Sequence, residues 1–228
     1  MSAVSRAPQR SNRTGRARRR AALTTIGAAS AALLLSACTS GGTSGGGGNT
    51  GFVTGKNGIA TVEKGERAAV PDLSGPTVDG KRADVADHRG KVVVINVWGS
   101  WCPPCRLEAK NFEKVHQDLK DQGVAFLGIN TRDSSVGLAR AFEKEFGVTF
   151  PSLYDPTGKL MLRFEKGTLN PQAIPSTLVI DREGKVAART LQALSEEKLR
   201  KMLEPFLTDG SDGSGESAKS AKSGESGK

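Results

Sequence analysis

The sequence predicts an α/β fold, a central mixed β-sheet flanked by helices, on three observations. Apolar β-branched runs alternate with stretches of helical apolar spacing between residues 66 and 207. The series closes on two strands joined by a tight turn and then a helix, the arrangement of an α/β sandwich. Both ends of the 228-residue chain differ from this middle in composition, so the foldable part is about one domain.

Each element has a local reason. Thr77-Val78-Asp79-Gly80-Lys81 places Asp-Gly between short β-prone segments within Leu73 to Ala83, an N-terminal hairpin. Val92 to Trp98 is a continuous apolar run of the buried-strand kind. Pro103 to Gln122 carries apolar residues at Leu107, Phe112, Val115 and Leu119, which predicts a helix with those side chains inward. Val124 to Asn130 is a second buried strand. Val136 to Phe146 reads as a helix stopped by Gly147. An inserted strand-helix element follows, with an extended piece over Thr149 to Leu153 and a short helix over Lys159 to Phe164. Ser176 to Ile180 and Lys185 to Leu191 form strands around the Asp181-Arg182-Glu183-Gly184 turn. Ser195 caps a final helix through Leu199 and Leu203, with Glu196 and Glu197 in its first turn.

The ends carry targeting and linker signals. Residues 1–37 hold seven arginines and no acid, then an apolar run from Ala21 to Leu35 and the junction Leu35-Ser36-Ala37-Cys38. That order is a secretory signal, with a run too short and alanine-rich for a membrane-spanning helix. The three adjacent arginines Arg18-Arg19-Arg20 suit either the general or the twin-arginine export route. Residues 38–65 open on Thr, Ser and Gly and read as a flexible tether, and residues 208–228 as a disordered Gly/Ser/Lys/Glu tail. Seven units of the formal charge of +9 belong to the leader. Without its seven arginines the 33 basic residues fall to 26 against 24 acidic ones, a net +2. A basic nucleic-acid-binding face is therefore not expected.

The chemistry concentrates in Trp98-Gly99-Ser100-Trp101-Cys102-Pro103-Pro104-Cys105, at a strand-to-helix junction. Two cysteines separated by two residues close and reopen a small disulfide. At a helix N-terminus the dipole and unsatisfied N–H groups favour the thiolate, bringing a cysteine pKa down from about 8.5 toward about 3.5–7.5. Cys102 is the expected nucleophile, exposed and alkylatable, and Cys105 the inward resolving thiol. Pro103 and Pro104 stiffen the loop and withhold N–H donors. A zinc site needs further ligands. Cys38 lies at the leader junction, and His88 and His116 have no ligand spacing to the pair. No metal is expected, and the redox-active Cys102–Cys105 disulfide stands in place of a cofactor.

Together with Ile174-Pro175-Ser176-Thr177 some seventy residues on, the Trp-Cys-Pro-Pro-Cys segment resembles a thioredoxin fold. More narrowly, residues 66–207 resemble the membrane-anchored extracytoplasmic thioredoxin-like proteins of bacteria, the TlpA/ResA-like family of the redoxin (AhpC/TSA) superfamily. The Ala69-Val70-Pro71-Asp72-Leu73 segment with its hairpin and the insertion between Gly147 and Phe164 point the same way.

The resemblance implies a cis Pro175 facing the cysteines, with Ile174 offering backbone groups to an extended substrate; the alternative is a trans proline in an ordinary loop. It implies that Glu108 is a partly buried carboxylate tuning the cysteines and moving protons. Without it, Glu108 is a surface residue pairing with Arg106 or Lys110. Asn96 stands where cytoplasmic thioredoxins commonly carry a buried aspartate, and it cannot accept a proton. Trp98 is expected in the core and Trp101 on a docking surface. Leu35-Ser36-Ala37-Cys38 resembles the lipobox, implying a lipid anchor at Cys38 on the outer face of the cell membrane; the alternative is an unmodified exported thiol.

The implied activity is thiol-disulfide exchange with protein substrates, as a reductase fed by a membrane electron donor, for example in cytochrome c maturation. A disulfide-forming oxidant or an isomerase remains open. Two further alternatives fit the sequence less well. A thiol peroxidase of peroxiredoxin type carries threonine three residues before its cysteine, where Gly99 stands here. A Sco-like copper-binding module needs a Cys-x-x-x-Cys spacing and a distant histidine, and no histidine follows His116.

Overall fold

A computed structural model describes residues 50–208. Its main sheet has seven strands: β1 (Val53–Thr54), β2 (Ala60–Thr61), β5 (Val92–Trp98), β6 (Val124–Thr131), β7 (Ser152–Asp155), β8 (Ser176–Ile180) and β9 (Val186–Thr190). They lie in the order β1-β2-β9-β8-β5-β6-β7, with β5, β6 and β7 mutually parallel and every other neighbour antiparallel. The predicted hairpin forms a separate two-stranded sheet, β3 (Ser74–Pro76) against β4 (Arg82–Asp84). This is the thioredoxin-type α/β fold with a central mixed sheet.

Alternation along β5 divides the core. Its even-numbered side chains, Val92, Val94, Asn96 and Trp98, face the helices; Val93, Ile95 and Val97 pack into the opposite layer. The helix layer consists of α1 (Pro103–Leu119), α2 (Val136–Phe146) and α3 (Glu196–Thr208). Phe112, Val115 and Leu119 of α1 meet Leu199, Met202 and Leu203 of α3 over Val94 and Phe126. Phe142 of α2 stacks on Trp98 at 4.4 Å between ring centroids. All three helices thus share one face. The steps β5 to β6 and β6 to β7 run in the same direction, so right-handed crossovers put both connecting helices on that side. The other face is covered by the hairpin and by 3-10 turns at Val85–His88 and Met161–Arg163, over Leu73, Ile95, Leu127 and Leu153.

Several expectations need correction. Residues 38–65 do not read through as tether: β1 and β2 extend the sheet beyond β9, and Ile59, Ala60 and Val62 are buried. Two-residue strands are too short for an alternation signal, and the glycines around them imitate a linker. The helix of the insertion is a single 3-10 turn at Met161–Arg163, because the Asp155 carboxylate binds the N–H groups of Lys159 and Leu160 and forces a tight loop before it. Leu107 is 79% exposed, whereas Glu108 lies inside. The buried stripe of α1 runs through Cys105, Glu108, Ala109, Phe112, Val115 and Leu119, and Leu107 is one position out of phase with it. Gly147, with φ 71°, ends α2 in the left-handed conformation as expected. Cys38 and the leader lie outside the described residues, as does the tail beyond Thr208.

Candidate active site

The parallel strand β5 ends at Trp98, and after four intervening residues the chain enters α1 at Pro103. Cys102 is the helix N-cap, followed by prolines at the first two helical positions. Since neither proline has an N–H, the first donor the helix offers is that of Cys105, and it goes to Cys102 Sγ at 3.2 Å. The two sulfurs are bonded, with Cα atoms 5.3 Å apart. Cys102 Sγ lies 3.7 Å from the carbonyl oxygen of Ile174, and the Ile174–Pro175 peptide is cis. Residues 72 positions apart in sequence therefore flank the same sulfur.

The first sulfur was expected to be open to solvent. In the disulfide form Cys102 and Cys105 are each only 1% exposed. Cys102 joins an apolar cluster with Val78, Trp98, Ala109 and Phe142, against which Ile174 packs. Trp98 is core, as expected, and its Nε1–H donates to Ser152 Oγ at 3.3 Å. Trp101 is 46% exposed and held from below, its Nε1–H donating to the Thr131 carbonyl at 3.2 Å. A Cβ at Gly99 would stand 2.5 Å from the Trp101 indole nitrogen, so a threonine there would displace this ring.

Behind the disulfide sits Glu108, one turn along α1 from Cys105 and 1% exposed. It makes no pair with Arg106, which bonds Glu145 at 2.6 Å instead. Its Oε1 accepts from Asn96 Nδ2 and its Oε2 from the Leu194 N–H, both at 2.9 Å. Burial away from water raises its pKa from 4.5 to about 7 against the lowering effect of those two donors. Asn96 and Cys105 line the same small cavity beneath the helix, with Trp98, Phe112 and Phe142. Glu108 thus titrates near neutrality close to the cysteine pair.

One residue escaped the sequence reading. Asp133, between β6 and α2, is buried, and its carboxylate accepts from the Ser100 N–H at 3.0 Å, from Ser100 Oγ at 2.5 Å and from Asn130 Nδ2 at 2.6 Å. It fastens the cysteine loop to the neighbouring strand-to-helix junction. Followed by Ser134 and Ser135 before a helix, it looks in sequence like part of a local cap. The histidines stay apart from the pair. His116 packs edge-on to Phe126 and Phe150, and His88 lines a cavity of about 530 Å³ with Val93 and Ile180, at the far end of β5.

Comparison with known proteins agrees with this geometry. Residues 67–189 match the AhpC/TSA family. The chain belongs to that family. It is 29% identical over 137 residues to the thiol-disulfide oxidoreductase ResA of Geobacillus thermodenitrificans, covering 60% of this chain and 75% of that one. A DsbF homologue from Corynebacterium diphtheriae superposes with a TM-score of 0.61 at 34% identity, covering 66% of this chain and 94% of the other. A secreted thiol-disulfide isomerase from Corynebacterium glutamicum gives 0.62 at 28% identity, with 66% and 92% covered. Within the AhpC/TSA family this chain is an enzyme of the thiol-disulfide oxidoreductase class.

Proposed function

We propose that the enzyme is an extracytoplasmic reductase of protein disulfides, working through Cys102 and Cys105. The observation that carries this is the junction itself, where Cys102 takes the first free N–H of α1 and faces the Ile174 carbonyl. In the reduced enzyme the same N–H and the helix dipole stabilise the Cys102 thiolate. The thiolate attacks one sulfur of a substrate disulfide, forming a mixed disulfide and expelling the other substrate sulfur as thiolate. Cys105, deprotonated, then attacks Cys102 Sγ; the second substrate thiolate leaves and the Cys102–Cys105 disulfide closes. Two electrons have passed to the substrate, and a dithiol donor protein at the membrane restores the enzyme. Glu108 takes the Cys105 proton near neutral pH, a role its raised pKa suits and Asn96 cannot fill. Trp101, Pro103 and Pro104 shape the rim, and the Ile174 backbone beside Pro175 aligns the substrate chain.

The chemistry of the leader supports export and an anchor: residues 1–37 as signal, a lipid on Cys38, and a tether up to β1. Among the described residues no helix is long and apolar enough to cross a membrane. Mass spectrometry of the membrane fraction checks the lipid, and an unmodified Cys38 in a soluble mature protein rules it out. Apocytochrome c or its assembly factors are the proposed substrates.

The deciding experiment is a trap. Cys105→Ser retains attack and loses release, so mixed disulfides through Cys102 accumulate with envelope proteins. A reduction potential near −270 mV accompanies the reductive role, and one near about −120 mV with secreted proteins in the trap reverses the direction. An empty trap together with stoichiometric copper binding overturns the enzyme reading.

A further inference from the structure

We propose that Arg132 and Trp101 form a subsite for an acidic side chain of the substrate protein, next to its reacting cysteine; this rests on the thiol-disulfide reading above. Trp101 adjoins Cys102 in the chain, and its indole is fixed by the Nε1–H bond to the Thr131 carbonyl. The next residue, Arg132, lays its guanidinium over that indole, 4.6 Å from the ring centroid. Its backbone has φ 59°, and it is the one non-glycine residue with positive φ among the described residues. A side chain with a Cβ in this conformation costs free energy, and such residues concentrate where geometry serves binding or catalysis.

The charge of Arg132 is uncommitted. No ion pair within 4.0 Å involves it among the described residues, although other guanidiniums of the molecule are engaged. Arg106, also near the site, is paired with Glu145 at 2.6 Å and lies over Phe146 at 5.0 Å. The adjacent acid cannot serve Arg132 instead: Asp133 is buried with both carboxylate oxygens taken by Ser100 and Asn130. A guanidinium lying over a ring still has N–H groups directed away from it, and its fork of donors matches a carboxylate in bidentate fashion. Stacking removes much of the side chain's freedom before the partner arrives, so little is lost on docking. The partner is therefore a protein whose target cysteine stands within a residue or two of aspartate or glutamate. An exposed ion pair discriminates modestly, so the expected preference is about threefold to fivefold in rate at low salt.

The test uses the reduced full chain in detergent and three disulfide-linked peptides, identical except for Asp, Asn or Lys beside the cysteine. Single-turnover reduction is expected to be about threefold to fivefold faster for the Asp peptide than for the Asn peptide, the ratio falling as salt shortens the screening length. Arg132→Gln brings the Asp/Asn ratio to about one, Arg132→Glu turns the preference toward the Lys peptide, and Arg106→Gln keeps the parental ratio. An unchanged Cys102–Cys105 reduction potential in Arg132→Gln shows that the lost ratio is a lost contact and not a disturbed fold. Equal rates on the Asp and Asn peptides with the parent enzyme overturn the subsite alone, as does a ratio that survives Arg132→Gln. If none of the peptides is reduced, the thiol-disulfide reading fails and the subsite falls with it.

Discussion

Two strand-to-helix junctions stand side by side in this molecule, and they divide the work. At the first, β5 runs into α1 through Cys102, with the sulfur capped by the Cys105 N–H and two prolines removing rival donors. At the second, β6 runs into α2 through Arg132 and Asp133, and the Ser135 N-cap makes no side-chain bond to its helix. The first holds the reacting atoms. The second holds the first: Asp133 grips Ser100, and the Thr131 carbonyl grips Trp101. A parallel sheet places the ends of neighbouring strands together, so one loop can be rigid because the next one braces it. Capping its own helix has been given up at the second junction in favour of bracing its neighbour.

The largest effect should come from removing the brace. Asp133→Ala leaves the buried Asn130 Nδ2 and the partly buried Ser100 N–H without their acceptor, at about 2 kcal/mol for the first and about 1 kcal/mol for the second, about 3 kcal/mol or more together. Denaturant unfolding of the oxidised protein measures it. A loss below about 1 kcal/mol would mean that the first junction stands unaided.

Next comes the carboxylate behind the first junction. The folded pKa of Glu108 is raised from 4.5 to about 7, so the native protein keeps a proton that the unfolded chain has lost. Its contribution to stability is complete below about pH 4.5 and disappears as pH rises through about 7, a fall on the order of 3 kcal/mol. Glu143, also raised to about 7 by burial, adds a fall of the same sign. Glu108→Gln should lower stability at pH 5, since one amide oxygen cannot serve both Asn96 and the Leu194 N–H, and should flatten the slope between pH 4.5 and 7. It should also displace the pH profile of Cys102 alkylation. Parallel stability curves for parent and variant would remove Glu108 from the proton economy of the site.

The smallest effect separates bracing from docking within the second junction. Arg132→Gly relieves the left-handed backbone and is expected to raise stability by about 1 kcal/mol. Thermal unfolding checks this, and a loss of stability instead would show that the stack on Trp101 outweighs the strain.

Much of this was legible along the chain. The buried strand Val92–Trp98, the cysteines at the start of a helix, the Asp-Gly hairpin and the Gly147 stop are written in spacings of a few residues, where local sterics and capping decide the outcome. On α1 the sequence places Phe112, Val115 and Leu119 inward as found, and only Leu107 departs, by one position. Hydrophobicity favours Leu107, but the helical phase set by Cys105, Phe112 and Leu119 carries Glu108 inward, where Asn96 and Leu194 supply donors.

By itself, then, the sequence determined the order of elements, the redox pair and the donor-poor turn that presents it, since each depends on neighbours within one helical turn. Only the tertiary structure decided which donors the Glu108 carboxylate meets, that β1 and β2 join the sheet and that Asp133 secures Ser100 across 33 positions. The approach of Ile174 to Cys102 across 72 positions was implied by the family resemblance and not by any local spacing. Those outcomes depend on which strands pair and which faces meet, and no local spacing encodes the environment that a carboxylate finds once the layers have packed.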